Sequence, residues 1–440
     1  MNSFFRVLFF IVVFSIVSLS AYAETEPNNT PAQANALAAN SSDAGTLNIN
    51  GDVVDWYKVT LPSDGALIIA TLSSAGLEID NAIFDQNGTT LLASYLHGGT
   101  HVEDTTEVFN LLAGTYYVRT LCYSGSGSYT ITSKFIATQF PNDAELNDSL
   151  KFANAFTLNS SATGHLGFYG NGNTDGVDWR KVVTNADGKF VIATYSDPTI
   201  EIDNAIYDQD KKTLLASYKY GGSHLEDTSE VVNLAAGTYY IRTLCYSGYG
   251  SYTITNLLTP TALTNDAEQN DSASVAIAFP LNSNSTGHLG FFTNGYTDAV
   301  DWRKVVTNAD GKFVIATYAD PTLEIDNAIY DQDKKTLLAS YKYGGTHRED
   351  TSEVVNLAAG TYYIRTFCYS GYGSYTITNR LTQAMLANDT EPNNTQAQAI
   401  PLGLNTVKSG HLGYLSQGIT DLHDFYAVTL AQAADTLFIR

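Results

Sequence analysis

Four stretches of this chain carry acidic and amide side chains at alternating spacing, and each is followed by a second acidic pair. The first reads Glu24-Thr25-Glu26-Pro27-Asn28-Asn29 and the last Asp389-Thr390-Glu391-Pro392-Asn393-Asn394. Between them lie Asp143-Ala144-Glu145-Leu146-Asn147-Asp148 and Asp266-Ala267-Glu268-Gln269-Asn270-Asp271. Downstream come Asp52 with Asp55, Asp175 with Asp178, Asp298 with Asp301 and Asp421 with Asp424, each pair spaced i, i+3 beside an aromatic residue. In an extended segment alternate side chains leave the same side, which would aim Glu24, Glu26 and Asn28 at one centre. Ca2+ takes about six to eight oxygen ligands in irregular geometry, so two separate segments can supply them. The opening motif has no His or Cys, which argues against zinc and copper, and its spacing is not that of an EF-hand. Singly, each motif reads equally well as turn and capping residues beside a solvated Asp-x-x-Asp loop. Four copies with oxygens at both places favour the metal.

The framework that must position these groups repeats as well. Trp56, Trp179 and Trp302 are 123 residues apart, as are Cys122, Cys245 and Cys368, and Phe425 continues the tryptophan series. Solenoid units run to about 20–50 residues, whereas whole domains commonly have about 100–150. The chain therefore divides into copies at 24–135, 142–256 and 265–382, with an incomplete fourth at 388–440. Asp178 to Tyr195 is identical to Asp301 to Tyr318. A half-copy would expose its apolar face and strand edges, so the fourth is expected to be a fragment of a longer unit. Short linkers, one holding Pro260, predict a semi-stiff string of modules.

Within a copy the pattern is β. Phe190 to Tyr195 is rich in β-branched and aromatic residues behind the turn Asn185-Ala186-Asp187-Gly188, and Ala205–Tyr207 with Thr213–Tyr218 reads as a hairpin. Gly237–Arg242 and Tyr252–Thr255 flank a Gly-rich bend. Short strands with frequent turn signals predict an all-β sandwich in each copy. One short turn is expected near Thr30 to Leu37.

Residues 1–23 read as an export signal: Arg6, an apolar run, then Ala21-Tyr22-Ala23 as cleavage site. The run is short of the roughly 20 residues that span a bilayer, and no later segment is apolar enough to cross. The mature chain is thus expected outside the cytoplasm, secreted, periplasmic or on the cell surface. Losing Arg6 takes the formal charge from −22 to −23, which disfavours nucleic acid and anionic membranes as partners. One cysteine per copy gives no disulfide framework inside a module, and each reads as a small buried apolar residue. No His-Glu-x-x-His or Gly-x-Ser-x-Gly motif occurs. His165, His288 and His411 recur in Gly-His-Leu-Gly, and His101, His224 and His347 recur further on. A His224–Cys245 nucleophile pair has no evident orienting partner, and His423 reads as a loop residue. The expectation is a monomer without catalysis.

Four ordered motifs, Glu26–Asn29, Gly51–Tyr57, Ala113–Arg119 and Tyr123–Tyr129, resemble the bacterial pre-peptidase C-terminal domain. The resemblance covers nearly all of the mature chain. It implies jelly-roll-like sandwiches related to the collagen-binding domains of bacterial collagenases, which bind calcium through an acidic N-terminal segment and an Asp-rich loop. The matching positions are Glu24, Glu26, Asn28, Asn29, Asp52 and Asp55. Copies two and three depart from the pattern, with Leu146 and Gln269 for the proline and Asp148 and Asp271 for the second Asn. The related domains bind collagen through tyrosines on one sheet. Tyr218, Tyr220, Tyr246, Tyr249, Tyr341, Tyr343, Tyr369 and Tyr372 lie in strand ends and Gly-rich bends and suit a protein or glycan polymer, although each alone also suits a core. The chain thus reads as a calcium-binding adhesion or targeting protein. Its rivals are a purely structural spacer and the targeting arm of a longer peptidase.

Overall fold

The computed structural model describes residues 24–94, 103–217, 226–341, 349–416, 418–431 and 436–439. The expected export signal, His101, His224, His347, Tyr218, Tyr220 and Tyr343 lie outside the described residues, as does the side chain of Tyr341. The described chain is all-β, with helix confined to the single 3-10 turns Pro31–Gln33, Leu150–Phe152 and Gln396–Gln398. No helix among the described residues is long and apolar enough to cross a membrane.

The second copy shows the plan. One sheet has the order Leu214–Ser217, Ile200–Tyr207, Gly237–Gly248, Val177–Thr184, Asn154–Phe156. The other runs Ser161–Leu166, Gly250–Pro260, Gly188–Ser196, Glu226–Leu234, and is then extended by Phe292–Thr293 and Tyr296–Thr297 from the third copy. Alternation decides which side chains turn inward: along Gly188–Ser196, Phe190, Ile192 and Thr194 are buried while Lys189, Ala193 and Tyr195 face out. Val182, Ile202, Ile206 and Ile241 of the first sheet and Phe190, Ile192, Val231 and Ile254 of the second close one core. The first and third copies have equivalent cores of their own.

The copies are not merely tethered. Leu111 pairs in parallel register with Tyr169, Leu234 with Phe292, and Leu357 with Leu415. The strand-bearing hairpin at each joint is built from the residues that copies two to four carry before their second acidic pair. The semi-stiff string expected from the linkers thus has β pairing across each joint.

The Gly-rich bend has a steric cause. Gly248 has φ +82°, and a Cβ there would lie 2.0 Å from the Thr199 carbonyl oxygen. Gly248→Ala is therefore expected to cost about 1–3 kcal/mol, read as a lowered midpoint in denaturant unfolding.

Candidate metal centre

Two segments meet at each centre because the opening motif pairs with the aromatic strand. Trp56 N–H donates to Asn28 O at 2.9 Å, and the same bond joins Trp179 to Asn147, Trp302 to Asn270 and Phe425 to Asn393. The peptide after the second acid of each motif is cis in all four copies, before Pro27, Leu146, Gln269 and Pro392 alike.

In the first copy, carboxylate oxygens of Glu24, Glu26, Asp52 and Asp55 lie within 4.8 Å of one another. Asp143, Glu145 and Asp178 gather likewise, as do Glu145, Asp148 and Asp175, Asp266 with Glu268 and Asp301, and Asp389 with Glu391 and Asp424. These acidic clusters could hold a metal ion. Burial raises Glu268 and Asp298, and the nearby Asp271 adds repulsion to both; burial likewise raises Glu391, with Asp421 adding to it. Asn29 and Asn394 behave differently from the carboxylates. With the amide oriented to donate, each holds an acid of its own copy, Asp52 at 3.1 Å and Asp421 at 2.7 Å.

The centres are short of positive charge and of donors. Asp55, Asp178 and Asp301, and Asn28, Asn147, Asn270 and Asn393, are all completely buried. Each nevertheless leaves its Oδ1 without a hydrogen-bond partner. Buried polar atoms are normally paired, so the same atom left orphaned copy after copy points to a missing electrophile. Burial pushes Asp55 up to about 8 despite the bond that Tyr129 donates to it, with Glu24 adding repulsion. Asp178 reaches about 8, Asp298 about 9 and Asp175 about 10, each chiefly through burial and then neighbouring acids.

Sequence reasoning missed the second ring of contacts, which is long-range. Tyr57 Oη donates to Glu24 at 2.8 Å, and Tyr129 Oη to Asp55. In the second copy Arg180 stands in place of Tyr57 and lies 2.5 Å from Asp143. The recurring Gly-His-Leu-Gly was visible, but its partners were not. His165 pairs with Asp64 at 2.8 Å, His288 with Asp187 at 2.6 Å and His411 with Asp310 at 2.7 Å, always in the preceding copy.

Of the tyrosines, Tyr246 and Tyr369 are exposed, with Tyr123 at the same place in the first copy. Tyr249 and Tyr372 instead pack edge-on against Phe168 and Phe291. Among the described residues the cysteines are unbridged, Cys122 buried and the other two half-buried.

No family model matches the chain. It is 31% identical over 113 residues to collagenase ColQ1 of Bacillus cereus strain Q1, a match spanning 25% of this chain and 11% of that protein. A quarter of the chain is similar to part of a collagenase. Among solved structures, it is similar to the pre-peptidase C-terminal domain of collagenase from Bacillus anthracis at 23% identity. That match covers 25% of this chain and all of that domain, with a TM-score of 0.21. The tandem CBM22 domains of Xyn10C from Paenibacillus barcinonensis match at 6% identity over 51% of this chain and 91% of that one, with a TM-score of 0.16.

Proposed function

We propose that the chain is a secreted, non-catalytic string of jelly-roll-like β-sandwich modules at 24–135, 142–256 and 265–382, with part of a fourth at 388–440. Each module binds calcium at its N-terminal centre, and the string attaches to an extracellular polymer, protein or glycan. The observation that carries the calcium reading is the buried orphaned oxygen pair, Asn28 Oδ1 with Asp55 Oδ1 and its counterparts. An all-oxygen donor set of irregular shape suits Ca2+ better than a transition metal. The polymer reading is supported by the exposed series Tyr123, Tyr246 and Tyr369 and by the similarity to part of a collagenase. Several weak sites on one chain raise avidity without new contacts.

The test is thermal unfolding of Asp55→Ala and the unaltered chain, in calcium and in chelator. Calcium at about 100-fold above its dissociation constant adds about 2.7 kcal/mol per site. The substitution is expected to remove the first module's share of that gain and to change little in chelator. Equal losses under both conditions would make Asp55 a structural residue. Retention on none of collagen, chitin and cellulose would remove the polymer reading while leaving the calcium reading intact.

A further inference from the structure

Position 57 and its counterparts read Tyr57, Arg180, Arg303 and Tyr426. The two tyrosines donate to the first acid of their copies, Glu24 and Asp389. The two arginines do something a tyrosine cannot, since a guanidinium keeps its charge at any ordinary pH. Arg180 lies 2.5 Å from Asp143 and 3.9 Å from Asp178. Arg303 ion-pairs with Asp266 and lies 3.9 Å from Asp301. Both are almost wholly buried, and each also donates to a buried tyrosine, Tyr252 or Tyr375.

A second exchange accompanies the first in the same two copies. Where copies one and four have Asn29 and Asn394, copies two and three have Asp148 and Asp271. The centre thus holds four carboxylates in copies one and four, and five carboxylates with one guanidinium in copies two and three. Its formal charge is four negative in every case. The added charges sit at opposite ends. The guanidinium contacts the buried acids Asp143 and Asp178, whereas Asp148 is exposed and groups with Glu145 and Asp175. In the third copy Glu268, Asp271 and Asp298 line an open cavity of about 450 Å3, which gives solvent ions a way in.

We propose that Arg180 and Arg303 are fixed internal cations that occupy the inner end of their centres, so that a divalent cation binds in these two copies at the outer carboxylates Glu145–Asp148–Asp175 and Glu268–Asp271–Asp298. This rests on the calcium reading above. At the outer end the demand for a cation persists beside the arginine: both carboxylate oxygens of the buried Asp175 remain without protein partners in the second copy, and Asp298 Oδ1 does so in the third. The chain would then carry two designs of one site. Those of copies one and four take the cation among Glu24, Glu26, Asp52 and Asp55 or their equivalents, and those of copies two and three take it further out.

Calcium titration calorimetry on the full chain tests this with two variants. Asp148→Asn with Asp271→Asn removes exposed residues and leaves the cores untouched. It is expected to abolish uptake by copies two and three, about half of the total if every centre takes the same load. Tyr57→Arg places a guanidinium in the first copy without the compensating outer acid. It is expected to remove that copy's uptake while leaving the melting temperature in chelator unchanged or raised. Uptake equal to that of the unaltered chain in either variant overturns the proposal. An unaltered chain that takes up no calcium, and melts alike with calcium and chelator, overturns the calcium reading itself.

Discussion

In chelator, the chain is expected to become less stable to heat as the pH rises from about 5 to about 9, and calcium is expected to reverse that trend. The sign follows from the direction in which burial moves the acids. Asp55 stands at about 8, Asp178 at about 8 and Asp298 at about 9 in the folded chain, against about 3.9 for an unperturbed Asp. Over that window the native state holds protons that the unfolded chain has released, so stability falls as pH increases. The contribution is complete below the unfolded value and disappears as the pH passes through the folded one. Each tenfold difference in proton affinity between the folded and unfolded chain corresponds to about 1.4 kcal/mol. Repulsion shared within a cluster counts once, so a few such groups amount to several kcal/mol. A bound cation inverts the trend, because it requires the carboxylates deprotonated and binds more tightly as pH rises. Melting curves at stepped pH in calcium and in chelator should therefore diverge toward alkaline pH. Parallel curves, or stability in chelator that rises with pH, would show that the buried acids are neutralised by the protein alone.

The parts of this architecture that were legible in the sequence are those with short-range or periodic causes. The β-branched and aromatic run from Phe190 to Tyr195 behind its turn read as a strand, and the structure extends it to Gly188–Ser196. The hairpin read from Ala205–Tyr207 and Thr213–Tyr218 is there, between Ile200–Tyr207 and Leu214–Ser217. The short turn expected near Thr30 is the single 3-10 turn Pro31–Gln33. The acids spaced i, i+2 and i, i+3 were visible as chemistry before any fold was known. What the sequence concealed was closed by distant partners. Tyr129 reaches Asp55 and Glu24 from the last strand of its copy. The arginine of copies two and three could have been suspected only by aligning the copies and noticing that Tyr→Arg and Asn→Asp change together. Short linkers predicted a semi-stiff string but not how its modules meet, because the residues inserted before Asp175 show no partner in sequence. Their backbone amides and carbonyls find partners in the sheet of the preceding copy, with Leu112 N–H donating to Tyr169 O and Ala235 N–H to Phe292 O.

That pairing concentrates at one buried contact, and removing it should uncouple the modules. His288 Nδ1 faces Asp187 Oδ2 at 2.6 Å and its Nε2 faces the Leu263 carbonyl at 2.8 Å. Asp187 Oδ1 also accepts from Ala236 N–H. The imidazole thus has a partner at each nitrogen, one of them the Asp187 carboxyl of the preceding copy. Removing one member of such a buried hydrogen-bonded pair leaves the other unsatisfied, at a cost of about 1–3 kcal/mol. His288→Leu is expected to strand Asp187 and to split one calorimetric transition into two as copies two and three unfold separately. Adding Asp187→Asn should recover part of the loss, giving a double-mutant cycle with favourable coupling; strictly additive losses would mean that the pair contributes nothing to the joint. The last joint adds a pH signature. Burial alone would lower the value of His411, but Asp310 and the Leu386 carbonyl outweigh it and raise it above the ordinary histidine range. A raised histidine stabilises fully below its unfolded value, near 6.5, and its contribution is lost as pH rises through the folded one. The last joint and the carboxylate centres should therefore weaken together in alkaline chelator, and calcium should restore the centres alone. An alkaline sample in calcium is accordingly expected to release the fourth copy in a step of its own, and a single cooperative transition there would mean that the His411–Asp310 pair does not hold that joint.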